Sequence, residues 1–219
     1  MTNKVKKTKK PVLINILIDE SGSMGDCWND TIEGFNAYID VLKEKTPNAI
    51  VSVSTFDGRG IRKLCETVEI KDVPLLNKEN YSPCASTPLY DAIGKIIDSG
   101  SSYIEKQKGK INSLLVIQTD GMENASSEHT KDSIKGLMKG MEDKGWTFVF
   151  LGADLDAISS VRSMGLSSSI SLGNSLSYQK LNTRSVFKDT LSAATVAYCA
   201  NAGSKTDNFF DNNEELGDQ

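Results

Sequence analysis

The sequence predicts an α/β chain folded as a Rossmann-like, doubly wound, mostly parallel six-stranded sheet, with one antiparallel edge strand and helices on both faces. Three observations carry that expectation. Apolar runs at residues 12–18, 114–117 and 148–151 are nearly unbroken, as parallel strands covered on both faces require. Between them lie stretches in which Ile, Leu, Met or Phe recur at helical spacing, and strands alternating with such helices imply parallel crossover units. Finally, Asp57-Gly58-Arg59-Gly60 separates two extended stretches, and an Asp-Gly step there signals a hairpin, hence one antiparallel pair.

Taken in order, residues 12–18 are interrupted only by Asn15 and form a central strand. Ile32, Phe35, Ile39 and Leu42 mark the first helix. Residues 49–56 then alternate, with Val51, Val53 and Thr55 on one side and Ile50, Ser52, Ser54 and Phe56 on the other; residues 61–70 return beside them at the sheet edge. Leu89, Ile93, Ile96 and Ile97 mark the second helix, with Pro88 at its first position, where a missing amide hydrogen costs little. A strand beginning near Ser113 ends at Asp120. Ile134, Leu137, Met138 and Met141 mark the third helix, and His129 is a solvated residue at its start. After the strand at 148–151, residues 168–172 form a short final strand, and residues 176–200 contain a last helix.

A length of 219 residues suits one α/β unit. The domain is expected at 12–203, between a basic flexible tail at 1–11 and an acidic polar tail at 204–219. Acidic residues number 29 against 25 basic, so the global field does not point to nucleic acid. Lys4, Lys6, Lys7, Lys9 and Lys10 read as a solvated tail, with a nonspecific hold on an acidic partner or nucleic acid as the alternative. No stretch approaches the ~20 apolar residues of a membrane span, and the start lacks the apolar region of a signal peptide. A cytoplasmic location away from membranes is therefore expected. Cys27, Cys65, Cys84 and Cys199 contain no CxxC pair and read as reduced thiols. Cys27 and Cys84 lie close in sequence to two polar loops, where the alternatives are small buried side chains or a redox clasp.

Chemistry concentrates in three oxygen-rich segments: Asp19-Glu20-Ser21-Gly22-Ser23, Thr87-Pro88 and Thr119-Asp120-Gly121. Hard divalent cations such as magnesium select oxygen donors. A carboxylate, two hydroxyls on one loop, a distant threonine and a second aspartate make an octahedral half-shell with a position left open. In doubly wound sheets, ligands bind outside the carboxyl ends of the strands, where strand order reverses. Asp19 and Asp120 end strands expected to be neighbours, and Thr87 starts the helix leading into the second. The three segments should share one edge. Plainer readings stand beside this one: a turn with a helix cap for Asp19, Ser21 and Ser23, an N-cap for Thr87, and a simple turn for Asp120-Gly121.

Extended to Asp19-Glu20-Ser21-Gly22-Ser23-Met24, Ser86-Thr87-Pro88-Leu89-Tyr90-Asp91-Ala92-Ile93 and Thr119-Asp120-Gly121, the segments resemble those of the von Willebrand factor type A domain. The metal-ion-dependent adhesion site of that family has the pattern Asp-x-Ser-x-Ser, then Thr, then Asp. All five positions are filled here, and the strings are most similar to those of intracellular bacterial and viral members, over roughly residues 12–200. The resemblance implies that Ser21 and Ser23 touch the ion directly and that Thr87 does so in the ligand-engaged state, with Asp19 and Asp120 supporting it through water. Neutral hydroxyls leave the ion electrophilic enough to take an anionic group from outside. The implied function is capture of a partner protein's Asp or Glu carboxylate, without intrinsic catalysis. The implied cofactor is magnesium, with manganese or calcium as alternatives.

The enzymatic alternative is a magnesium-dependent phosphoryl-transfer or receiver-like domain using Asp19. Such chemistry needs a nucleophilic carboxylate and a cation for the developing charge. Ser21 stands where the haloacid-dehalogenase pattern needs a second aspartate, and Asp57, the other acceptor, falls in the edge hairpin. A serine nucleophile elbow fails because Ser21 replaces the glycine two residues before Ser23. GxGxxG and a Walker lysine are both absent.

Overall fold

The computed structural model describes residues 11–108, 111–120, 122–152, 174–204, 206 and 208–210. In chain order its main elements are β1 (Val12–Asp19), α1 (Trp28–Lys45), β2 (Ile50–Asp57), β3 (Gly60–Glu69), α2 (Leu89–Lys106), β4 (Asn112–Thr119), α3 (Lys131–Glu142), β5 (Trp146–Gly152) and β6 (Ser175–Ser177). A final helical run, α4, joins Thr183–Ser185, a π-helical Val186–Leu191 and Ser192–Ala200.

The strands form one sheet in the order β3-β2-β1-β4-β5-β6. All neighbours are parallel except β2 and β3. The expected fold class and the edge hairpin are therefore observed. Every residue of β1 and β5 is buried, which accounts for their apolar runs. Asn15 is tolerated inside β1 because its side-chain amide donates to Ser113 Oγ at 3.0 Å. Edge strand β3 instead exposes much of its length and carries Arg62, Lys63, Glu66 and Glu69, charges that discourage edge-to-edge pairing.

Two apolar layers cover the sheet. On one face α1 and α4 bring Phe35, Tyr38, Ile39, Phe187 and Leu191 against Ile14, Ile16 and Val51. On the other, α2 and α3 bring Ile93, Ile97, Ile134 and Met138 against Leu115, Trp146 and Phe148. The three periodic helices thus bury the faces their spacing defines. Because β1 has β2 on one side and β4 on the other, strand order reverses between β1 and β4. In sheets of this kind, ligands bind outside the carboxyl ends of the strands at that point.

Several expectations need correction. The strand expected at 168–172 lies outside the described residues; the sixth strand of the sheet is Ser175–Ser177, and the last helix lies within the expected 176–200. His129 is half-buried rather than solvated: a Cβ on Gly94 of α2 would meet its Nε2 at 2.3 Å, so the ring lies against a residue with no side chain. Phe209, counted with the acidic tail, is 1 % exposed and packs against Tyr198, so the core continues past residue 203. Of the basic tail expected at 1–11, residues 1–10 lie outside the described residues, as do residues 211–219. No helix among the described residues is long and apolar enough to cross a membrane.

Candidate metal centre

Asp19 is the last residue of β1 and is fully buried. Its Oδ1 accepts the Ser21 amide at 2.7 Å, and its Oδ2 accepts the Thr119 hydroxyl from the end of β4 at 2.6 Å. Burial pushes its carboxyl up to about 6, against those two hydrogen bonds, and the charge of Asp120 pushes in the same direction as burial. A cation beside the pair would reverse that shift.

Past Asp19 the chain tightens into a 3-10 turn, Gly22–Cys27. Ser21 Oγ and Ser23 Oγ lie 3.2 Å apart, and the Ser23 hydroxyl donates to Asp120 Oδ1 at 2.7 Å. Since the Ser23 proton is committed to Asp120, its lone pairs are left for another acceptor role. Neighbouring oxygens of a magnesium octahedron at ~2.1 Å lie about 3.0 Å apart, and those around calcium at ~2.4 Å lie about 2.8–3.4 Å apart, according to ligand number. The observed spacing fits a hard ion of either size. The donor set, three hydroxyls and two carboxylates, contains no soft ligand. No group of three or more His, Cys, Asp or Glu side chains suited to a metal exists among the described residues; this centre has only two carboxylates.

The second loop is tied to the first through the backbone. Cys84 N–H donates to the Glu20 carbonyl at 2.8 Å, and Gly22 N–H to the Ala85 carbonyl at 3.0 Å. Ala85 adopts a left-handed φ of 62°, uncommon for a residue with a Cβ. A Cβ on Gly58 would meet Ser86 Oγ at 2.4 Å, so the glycine of the β2–β3 turn lets this loop lie against the hairpin.

Thr87 is tied to the third loop. Its N–H donates to Asn124 Oδ1 at 2.8 Å, and its carbonyl accepts the Asn124 amide at 3.1 Å. It does not cap α2: Pro88 holds the N-cap position, one residue before the first helical position expected for it. The helix start is served instead by the β4–α3 loop. Glu123 accepts from Tyr90 N–H, and Ser126 Oγ from Asp91 N–H. In return Asp91 accepts from the amides of Ser127, Glu128 and His129. Burial alone would raise the Asp91 carboxyl, but those amides hold it below the usual range.

Asp19, Ser21, Ser23 and Asp120 are therefore joined by hydrogen bonds at the carboxyl ends of β1 and β4, and Thr87 is tied to the same third loop through Asn124; Gly121 lies outside the described residues. Four participants were not expected. Glu123, Asn124 and Asp91 join the second and third loops. Lys180, from the turn after β6, places Nζ 2.7 Å from Asp120 Oδ2, 3.2 Å from the Ser23 carbonyl and 3.4 Å from Asp26 Oδ2. Burial works against its ammonium, but Asp120 and Asp26 together hold the group above its ordinary range. Adjacent Glu20 is not aimed at the centre: it is buried, pairs with Arg62 and accepts the Ser82 amide. Cys27 is buried and pushed up to about 11 by burial, which disfavours the thiolate a redox partner of exposed Cys84 would need.

No family model matches the sequence, and no curated protein does either. Solved structures do. The chain is similar to the vWF domain of the type V pili tip protein Mfa5 from Porphyromonas gingivalis, at a TM-score of 0.63 and 10 % identity over 91 % of this chain and 98 % of that one. It is similar to the pilus adhesin SpaC from Lactobacillus rhamnosus GG in its open conformation (TM-score 0.66, 14 % identity, 85 % of this chain), of which it spans only 30 %. The manganese-loaded TRAP protein of Plasmodium vivax gives 0.54 at 14 % identity, over 82 % of this chain and 74 % of that one. The fold is that of a von Willebrand factor type A domain.

Proposed function

We propose that this chain is a metal-dependent protein-binding module that captures a partner's Asp or Glu carboxylate at a metal-ion-dependent adhesion site. One observation carries the reading: Ser21 Oγ and Ser23 Oγ lie at ligand spacing, with the Ser23 proton taken up by Asp120 and Asp19 braced by Thr119. Ser21, Ser23 and Thr87 would hold magnesium or manganese, and Asp19 and Asp120 would supply the negative charge. The bound ion supplies an electrophilic position for an anionic oxygen. The residues of this chain position it, keep its ligands neutral and tie its three loops into one unit.

Support from the neighbours is coarser. One is described as manganese-loaded, one as a pilus adhesin and one as a pili tip protein. The phosphoryl-transfer alternative is disfavoured because both Asp19 oxygens are engaged and the residue has no exposed surface. Asp57 is likewise committed, to the backbone and guanidinium of Arg59. Cytoplasmic placement belongs to the same proposal and fits four free thiols.

Magnesium should raise the melting temperature of protein stripped of metal. At a free concentration 100 times Kd, mass action adds ~2.7 kcal/mol, roughly 5–11 °C for a domain of this size. The double variant Ser21→Ala with Ser23→Ala should lose that rise while melting within a few degrees of the parent in chelator. Scanning calorimetry measures both. A parent melting temperature that does not move in millimolar magnesium or manganese contradicts the reading.

A further inference from the structure

We propose that Lys180 is a tethered counter-cation that competes with the divalent ion for Asp120, and so sets the metal affinity of the centre. The inference rests on the metal-site reading above and adds the residue that regulates it. The Asp120 carboxylate has no exposed side-chain surface. Its Oδ1 is served by Ser23, whereas its Oδ2 has no hydrogen bond of ordinary geometry among the described residues and meets the Lys180 ammonium there. A buried carboxylate that borders the candidate cation site through Ser23 is thus neutralised by a cation the chain itself supplies.

The placement of Lys180 is built rather than incidental. Its stem rises from the turn between β6 and α4, where Thr183 Oγ1 donates to the Lys180 carbonyl at 2.7 Å and the preceding Tyr178 is buried, its hydroxyl 3.4 Å from Gln118 Nε2. The ammonium also meets the Ser23 carbonyl and Asp26, so it lies over the same loop that carries Ser21 and Ser23. Its side chain is only 22 % exposed, which limits the water available to screen it. A divalent ion supported by Asp120 would face this positive charge across a few ångströms of poorly screened space, where like charges repel strongly. Metal entry therefore displaces the ammonium from Asp120. The apparent affinity for metal is the intrinsic one reduced by the stability of the Lys180–Asp120 pair.

Isothermal titration of magnesium into metal-stripped protein tests this with the parent, Lys180→Met and Lys180→Arg. Lys180→Met is expected to bind at least tenfold more tightly than the parent, and Lys180→Arg within threefold of it. As a second readout on unsubstituted protein, lysines are reductively methylated with carbon-13 and followed by NMR. The Lys180 signal, assigned by its absence from Lys180→Arg, should shift on adding magnesium with the same midpoint as the heat. Equal or weaker binding by Lys180→Met, or a Lys180 signal indifferent to bound magnesium, overturns the proposal while leaving the metal site standing. Failure of the parent and both variants to bind magnesium at millimolar concentration removes the metal site and the proposal together.

Discussion

Asp91→Ala is expected to destabilise the fold by about 2–4 kcal/mol, although Asp91 is no candidate ligand. Its carboxylate accepts the amides of Ser127, Glu128 and His129 at 2.7–3.0 Å and is largely buried. Hydrogen bonds to a charged group contribute roughly 1.5–3 kcal/mol each, and losses within one cluster are not additive. For a domain of this size that corresponds to a fall of roughly 4–16 °C in Tm. The pH dependence follows from the lowered carboxyl. The stability Asp91 contributes is fully present above its ordinary 3.8 and is lost as pH falls through the lower folded value. The gap between parent and Asp91→Ala should thus hold from neutral pH down to about 4 and close below it. Denaturant melts across pH would show it. A neutral-pH loss below 0.5 kcal/mol would mean that the loop of residues 122–129 is not held through Asp91.

Thr87→Ala has the larger expected effect on binding and almost none on the fold. Since Pro88 and not Thr87 occupies the N-cap of α2, removing the hydroxyl costs no cap. The backbone bonds to Asn124 remain. The stability change should be below ~1 kcal/mol, the usual value of a lost cap. Magnesium affinity should instead fall at least tenfold. Ser21→Ala should do the same, and the double variant should be little worse than either, because residues sharing one ion act as a unit. Titration calorimetry on the three variants reads this directly. Fully additive losses, or normal binding by Thr87→Ala, would place the second loop outside the coordination sphere.

What the sequence revealed was what is local in it. The runs in β1, β4 and β5 announce strands covered on both faces, and Asp57-Gly58-Arg59-Gly60 announces a tight reversal, because neither depends on distant partners. The spacing of Asp19, Ser21 and Ser23 is equally local, and alternation of strand and helix then places Asp120 beside Asp19. What stayed hidden is set by separation along the chain. Asp91 meets amides 36 to 38 residues away, and Asn124 meets Thr87 at 37. Lys180 reaches a carboxylate 60 positions back, and one lysine in a polar segment carries no periodic signal. Strand β6 has three residues, all half-buried, too few to establish alternation. Pro88 fell one place off because its φ suits both the cap and the first turn, and the loop bonds that choose between them are long-range.

Ser21, Ser23 and Thr87 are expected to ligate one divalent ion, with Asp19 and Asp120 behind it and one position open. Diffraction from manganese-soaked crystals, collected to use the anomalous signal of the metal, tests it most directly. The expected result is a single strong anomalous peak within about 2.3 Å of the Ser21 and Ser23 hydroxyl oxygens, facing Thr87, with a water or a carboxylate oxygen at the remaining position. An anomalous map with no peak at these loops, or with its peak on other residues, would contradict it.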